Sequence, residues 1–372
     1  MKKIITSTVL SFIVAMALAI PAKRNWITVT QSDGTTLKVC LTGDEHMHFY
    51  VTSDNVPLYK DAENRFCYLK IEDGKLVSSN ILAHEAERRT AKESTAITDI
   101  TNISAYAEKK LTTRNANTMK EIKRLPVKDD KSVFQGKKKA PVILAYFSDK
   151  SFSKDDESIK AFYNDVLNKE GFSQYGAAGS VHDYFSVMSR GAFDLSFDVI
   201  GPVKVSKSAT YYGGPSAIMG GTDHIGEFIT EAIKNADAQY DIDWTKYDWD
   251  GDGEEEQVFV LYAGYGQADT GNSGTIWPHS SNLAQSSGQD RSFFQDGVKI
   301  DRYTVSQEVN GQTKVPVGIG TFVHEFGHVL GLADHYNNGS TAAYGYTNNV
   351  GNWDLMASGS YNDDQDCPPT YS

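Results

Sequence analysis

Between Thr321 and Tyr336 the chain sets two histidines and a glutamate into a run that is otherwise apolar: Thr-Phe-Val-His-Glu-Phe-Gly-His-Val-Leu-Gly-Leu-Ala-Asp-His-Tyr. The spacing predicts a helix over 322–330 whose Phe322, Val323, Phe326, Val329 and Leu330 seek a core. That helix takes His324, Glu325 and His328 inside with it, and a buried polar group without a partner costs about 2–7 kcal/mol. His324 and His328 stand four apart, so both imidazoles leave the same helix face, about one turn apart. Nitrogens so placed can meet on one zinc ion at about 2.0–2.1 Å each. Glu325, next to the first histidine, can face a water on the metal rather than the metal itself. For either histidine alone the plainer reading is a satisfied core residue; the whole run points to a metal. Gly331 suits a left-handed helix end that turns the chain back. Asp334 and His335 both follow that turn as candidates for a third ligand. Three protein ligands leave the fourth position for water, as a catalytic zinc requires.

The rest of the chain divides by composition. Met1-Lys2-Lys3 precedes an apolar run from Val9 to Ile20, with cleavage sites at Ala17-Leu18-Ala19 and Ile20-Pro21-Ala22. Residues 1–19 are therefore expected to be a secretory signal peptide, with cleavage after 22 as the alternative. No other stretch is apolar enough to span a bilayer, so a secreted, extracellular or periplasmic protein is expected. Residues 20–85 predict a small β-rich module, with strands at Trp26–Thr30, Thr36–Leu41, Phe49–Val51 and Phe66–Ile71. Residues 86–139 are polar and poor in large apolar groups, and predict a linker ending in an exposed Lys137-Lys138-Lys139 run open to trypsin-like cleavage. Three cysteines, Cys40, Cys67 and Cys367, give no disulfide framework. Cys40 and Cys67 can pair; Cys40 as a zinc ligand in a latent form is the sharper idea, and a small buried thiol the plainer one.

From 140 to 372 the pattern changes. Pro141–Phe147 predicts a buried strand. Helices are expected at Asp155–Leu167 (capped by Ser153), Ser180–Met188 and Asp223–Ala236, with strands at Phe193–Ile200, Gln257–Tyr262 and Tyr303–Val309. Interleaved in this way they predict an α/β or α+β domain, taken as α+β with a mixed sheet. Net charge is +7 up to Lys139 and −19 beyond, together the −12 of the whole chain. The acidic half argues against nucleic-acid binding, and the opposite signs suit a docked pro-segment. Much of the acidity also serves solubility and calcium. Asp248, Asp250, Asp252, Glu254 and Glu256 form an acidic loop with Gly253 at its sixth position, the spacing by which oxygen ligands wrap calcium. Phe259 stands where an EF-hand has its bidentate glutamate, so the loop is not a full EF-hand; the plainer reading is an Asp/Gly-rich turn.

His-Glu-x-x-His-x-x-Gly-x-x-Asp, completed by Asp334, resembles the metzincin-type pattern with aspartate in place of the third histidine. The wider run is similar to the immune inhibitor A-like family of bacterial secreted metallopeptidases. Ser180–Val199, Asp248–Gly264 and Thr275-Ile276-Trp277-Pro278-His279 resemble the same family, and Trp353-Asp354-Leu355-Met356 resembles its methionine turn. The likeness covers about 140–372, and Gly43-Asp44-Glu45 is similar to propeptides of some relatives. It implies a metzincin-like zincin domain preceded by a β-rich propeptide that inhibits it, zinc and calcium as cofactors, and protein or peptide substrates. It also implies Met356 as a packing base beneath the metal, and a catalytic domain truncated at its C-terminus, since relatives usually continue. Within that frame Glu325 is expected to act as general base on a zinc-activated water. Tyr336 or Tyr361 is expected to support the oxyanion, and the strand at Gln257–Tyr262 to offer the edge for substrate. The competing expectation is a secreted binding protein or inactive homologue that keeps both metals as structural ions.

Overall fold

The computed structural model describes residues 20–371 apart from 45–47, 62, 74, 101–130, 214–223, 273, 285–289 and 337–349. The expected signal peptide, Glu45 and the middle of the 86–139 stretch lie outside the described residues. Among the described residues no helix is long and apolar enough to cross a membrane.

The N-terminal part is a six-stranded antiparallel meander: β1 (Trp26–Thr30), β2 (Thr36–Gly43), β3 (His48–Thr52), β4 (Pro57–Lys60), β5 (Phe66–Glu72) and β6 (Lys75–Leu82), paired in chain order. In β2, Leu37 and Val39 go inside while Thr36 and Lys38 stay out, the period-two alternation of a one-sided sheet. The module does not stop at residue 85. Helix α1 (Ala91–Ile100) starts at Thr90, whose hydroxyl and backbone N–H exchange hydrogen bonds with Glu93, and it lays Ala96 and Ile97 on the sheet core. All three cysteines are free thiols.

The second part is a mixed five-stranded sheet in the order β10-β13-β9-β7-β8. Strands β7 (Gly136–Tyr146), β8 (Phe193–Lys204), β9 (Val258–Tyr265) and β13 (Arg302–Val309) run parallel, and β10 (His279–Asn282) closes one edge antiparallel to β13. A small hairpin, β11 (Phe293–Gln295) and β12 (Val298–Ile300), stands apart. The alternation of β7 sorts the core. Val142 and Leu144 face one layer, containing α2 (Asp156–Asn168), α3 (Val181–Met188) and α5 (Gly320–Val329). Ile143 and Ala145 face the other, covered by α4 (Ile225–Tyr240). Phe259 on β9 stacks on Phe322 at 4.0 Å and on Phe326 at 5.6 Å, fixing α5 over the sheet. Such pairs add about 0.5–1.5 kcal/mol each beyond the area they bury.

Three expectations are corrected. Lys137, Lys138 and Lys139 are not an exposed linker: they lie in β7, paired with Asp194, Leu195 and Ser196 of β8, with Lys139 bonded to Asp198 and Lys138 to the Trp249 carbonyl. The second domain therefore begins at Gly136 or just before, not at 140. Strand β9 is not an edge. It lies between β7 and β13 and is buried along nearly its whole length, so no substrate strand can pair with it. Finally, Asp155 rather than Ser153 caps α2, accepting from the Ser158 N–H.

Candidate metal centre

Helix α5 is buried from Gly320 to His328. Its end is a Schellman turn: the Gly331 N–H donates to the His328 carbonyl and the Leu332 N–H to the Gly327 carbonyl, both at 3.0 Å, with Gly331 left-handed at φ 88°. The turn brings the chain back over the helix face that carries the histidines. The Leu332 carbonyl then accepts from His328 Nδ1 at 2.9 Å, while the Leu355 carbonyl accepts from His324 Nδ1 at 2.7 Å. Each ring thus keeps its proton on Nδ1 and directs the Nε2 lone pair inward. The two rings are perpendicular, with centroids 5.0 Å apart.

Asp334 comes back from the turn with Oδ1 3.2 Å from His324 Nε2 and 3.5 Å from His328 Nε2. Ligand atoms of the three residues lie within 4.8 Å of one another. Neither Nε2 makes a hydrogen bond, although both are buried. Two imidazole nitrogens without a hydrogen bond, fixed toward one point, and a buried carboxylate are a donor set that a divalent cation satisfies and that apolar packing does not. Burial pushes the Asp334 carboxyl up, but His328 and His324 outweigh it and hold the group well below the usual carboxylate range. His335, the rival ligand, turns elsewhere. Its Nδ1 meets Asp354 Oδ2 at 2.5 Å, and the other Asp354 oxygen accepts the Met356 N–H. Met356 is fully buried under α5. A Cβ added at Gly327 would stand 2.5 Å from the Met356 sulfur, so glycine there permits the close approach.

Glu325 is fully buried beside the histidines, and its Oε1 accepts the backbone N–H of Ile20 at 3.1 Å. The Tyr361 hydroxyl donates to the Pro21 carbonyl at 2.5 Å. Tyr336 is buried with its ring nearly parallel to that of His324. In the acidic loop the structure brings together Asp248, Asp250 and Glu256. Glu254 instead pairs with Lys299, and Asp252 lies outside the group, accepting the Glu254 N–H. Asp248 already takes N–H groups from Gly251, Asp252 and Gly253, and Glu256 takes the Trp249 N–H. Sequence reasoning missed the carbonyls of Leu332 and Leu355, which carry no side-chain signal. It also missed Asp354, whose place two residues before Met356 offered one.

A buried helix that presents two histidines to a returning aspartate is a donor set suited to a divalent cation. The catalytic-domain model described as Immune inhibitor A peptidase M6 matches residues 134–369, and the chain belongs to this family of metallopeptidases. The family implies a metal. PrtV of Vibrio cholerae, named a pre-pro-metalloprotease, is 28% identical over 238 residues, covering 55% of this chain and 24% of PrtV. A protein of Arthroderma benhamiae named a putative secreted metallopeptidase is 27% identical over 232 residues, covering 55% of this chain and 32% of its own length. Immune inhibitor A of Bacillus thuringiensis subsp. alesti is 25% identical over 261 residues, covering 60% and 36%. The chain thus spans about a quarter to a third of the length of these curated relatives.

Proposed function

We propose that this chain is a secreted, zinc-dependent endopeptidase of metzincin type, made as a zymogen with residues 20 to about 100 as its propeptide module. The observation that carries the reading is the pair of Nδ1-anchored imidazoles whose Nε2 atoms converge on Asp334 beside a buried Glu325.

His324, His328 and Asp334 would hold zinc, which supplies Lewis acidity and lowers the pKa of a water toward about 7. Glu325 takes the proton of the attacking water and passes it to the leaving nitrogen of the scissile bond. The burial of α5 keeps Glu325 in a fixed position against the histidines. Tyr361, whose hydroxyl donates to a main-chain carbonyl, would donate where charge develops on the substrate oxygen. Tyr336 packs against His324 and positions it. Met356 is the packing floor beneath the site. An extended substrate runs along the β10 side of the sheet, the one antiparallel edge. A calcium ion at Asp248, Asp250 and Glu256 would tie the loop at the start of β9.

The test is Glu325→Gln in the processed enzyme. Casein hydrolysis should fall by about 10²–10⁴-fold, with zinc content still about one per chain. Wild-type turnover by this variant removes Glu325 from the chemistry; an unaltered wild-type rate after full chelation removes the metal.

A further inference from the structure

Residues 354–356 do more than lay a floor under α5: they reach both stretches of chain that carry the candidate metal ligands. The Leu355 carbonyl accepts from His324 Nδ1 at 2.7 Å. The Met356 carbonyl accepts the His335 N–H at 2.7 Å, one residue beyond Asp334. The Asp354 carboxylate takes the His335 ring on Oδ2 at 2.5 Å and the Met356 N–H on Oδ1 at 2.8 Å. The segment is itself fixed. All three residues are fully buried, although Trp353 just before them is exposed. The Asp354 carbonyl accepts the N–H groups of Ala357 and Gly359, both at 3.1 Å, and a Cβ at Gly359 would run into that oxygen. The Leu355 N–H donates to the Thr370 carbonyl at 3.3 Å.

A carboxylate buried to this degree is costly unless its oxygens are bonded. Asp354 commits both oxygens to the join between the return of the Schellman turn and residues 354–356. That join separates two neighbours. Aspartate and histidine are both good zinc ligands, and Asp334 and His335 are adjacent. With the His335 ring on Asp354, it is Asp334 whose oxygen meets His324 and His328, and the close group of ligand atoms holds Asp334 and not His335. We propose that Asp354 is the positioning residue that selects the third ligand. It sequesters His335 and registers the return turn, so that the set is two histidines and an aspartate rather than three histidines. The choice matters chemically. A carboxylate brings a negative charge to the ion and a neutral imidazole brings none, so the selection sets how strongly the centre polarises a water. The inference rests on the metal-dependent reading and goes beyond it, to how one ligand set is chosen over its neighbour.

The test reads the metal rather than turnover, on the full chain loaded with zinc or cobalt(II). X-ray absorption should count two imidazoles on zinc in the wild type and three in Asp354→Ala, with a shifted visible band in the cobalt form. Adding His335→Ala to Asp354→Ala should restore the two-imidazole signature. Asp334→Ala combined with Asp354→Ala should bind zinc about tenfold more tightly than Asp334→Ala alone, because the released His335 replaces the lost carboxylate. A carboxylate that only supports the fold would give the opposite, a second loss on top of the first. If Asp354→Ala does not fold, Asp354→Asn carries the same measurements: it keeps an acceptor for the Met356 N–H and removes the charge that holds His335. An imidazole count that is the same in the wild type and the Asp354 variants, or no recovery of affinity in the double variant, overturns the proposal alone. A wild type that takes up neither ion overturns the metal reading and this proposal together.

Discussion

Among the described residues the chain gathers potential metal ligands twice, and the two groups are built on opposite terms. At α5, His324 and His328 are buried, each anchored through Nδ1 and left with a bare Nε2, and Asp334 closes on both. In the loop before β9, Asp248, Asp250 and Glu256 also lie close together, but Asp248 and Glu256 already accept main-chain N–H groups, and Asp250 is exposed. The first group is held in place by carbonyls and packing, and its imidazoles have unmet bonding capacity. The second meets much of its need through its own turn. A metal at α5 therefore answers an electrostatic demand made by burial, while a metal in the loop adds to a turn that already closes itself. A third carboxylate sharpens the contrast. Asp269 is buried with no imidazole beside it: one oxygen accepts the Gly311 N–H and the other makes no hydrogen bond. Burial pushes its carboxyl up to about 6, the reverse of the direction seen at Asp334.

The largest effect should come from Asp334→Ala. Zinc affinity, measured by competition with a chromogenic chelator, should fall at least about 100-fold, the upper end of what outer-shell changes cost. Retained affinity would place the third ligand elsewhere. Next is Asp269→Asn. Asp269 holds its proton in the folded chain up to about pH 6, whereas the unfolded chain releases it near its ordinary value of 3.8. Its contribution is therefore fully present below about pH 4 and is lost as pH rises toward 6 and beyond. The substitution should flatten that decline and raise stability at pH 8 by about 2–3 kcal/mol in denaturant titrations; a parallel pH profile would mean that Lys23 and Lys314 already compensate the charge. Gly327→Ala should then cost about 1–3 kcal/mol, because the new methyl meets the Met356 sulfur and the Tyr371 ring. A neutral outcome would show that the floor under α5 yields. Smallest is Asp250→Asn, which should abolish a calcium-dependent rise in melting temperature of about 2–4 °C, worth about 1 kcal/mol. If calcium raises the variant as it does the wild type, the loop is only a turn.

Some of this was plain from residue order. The α5 helix, its buried histidine pair and the left-handed Gly331 all follow from spacing and from the rule that a buried polar group needs a partner. The misreadings are equally physical. Lys137–Lys139 look like a solvated linker because their side chains do face outward, yet their backbone pairs with β8. Composition reports where side chains go, not where main-chain hydrogen bonds go. Placing β9 at an edge overlooked a signal that was there: Val258–Ala263 is apolar without alternation, as a strand covered on both faces must be.

The order of residues determined that two imidazoles and a carboxylate would share one buried helix, because 3.6 residues per turn leave no other arrangement for that run. It did not determine which neighbour completes the set. Asp334 and His335 are adjacent in the chain, and only the return of the Schellman turn, with Asp354 reaching across to take His335, separates one from the other. Nor did it show Ile20 at Glu325, a contact between residues 305 apart in sequence. Local periodicity is written in the chain; long-range pairing is decided by which surfaces exclude water together.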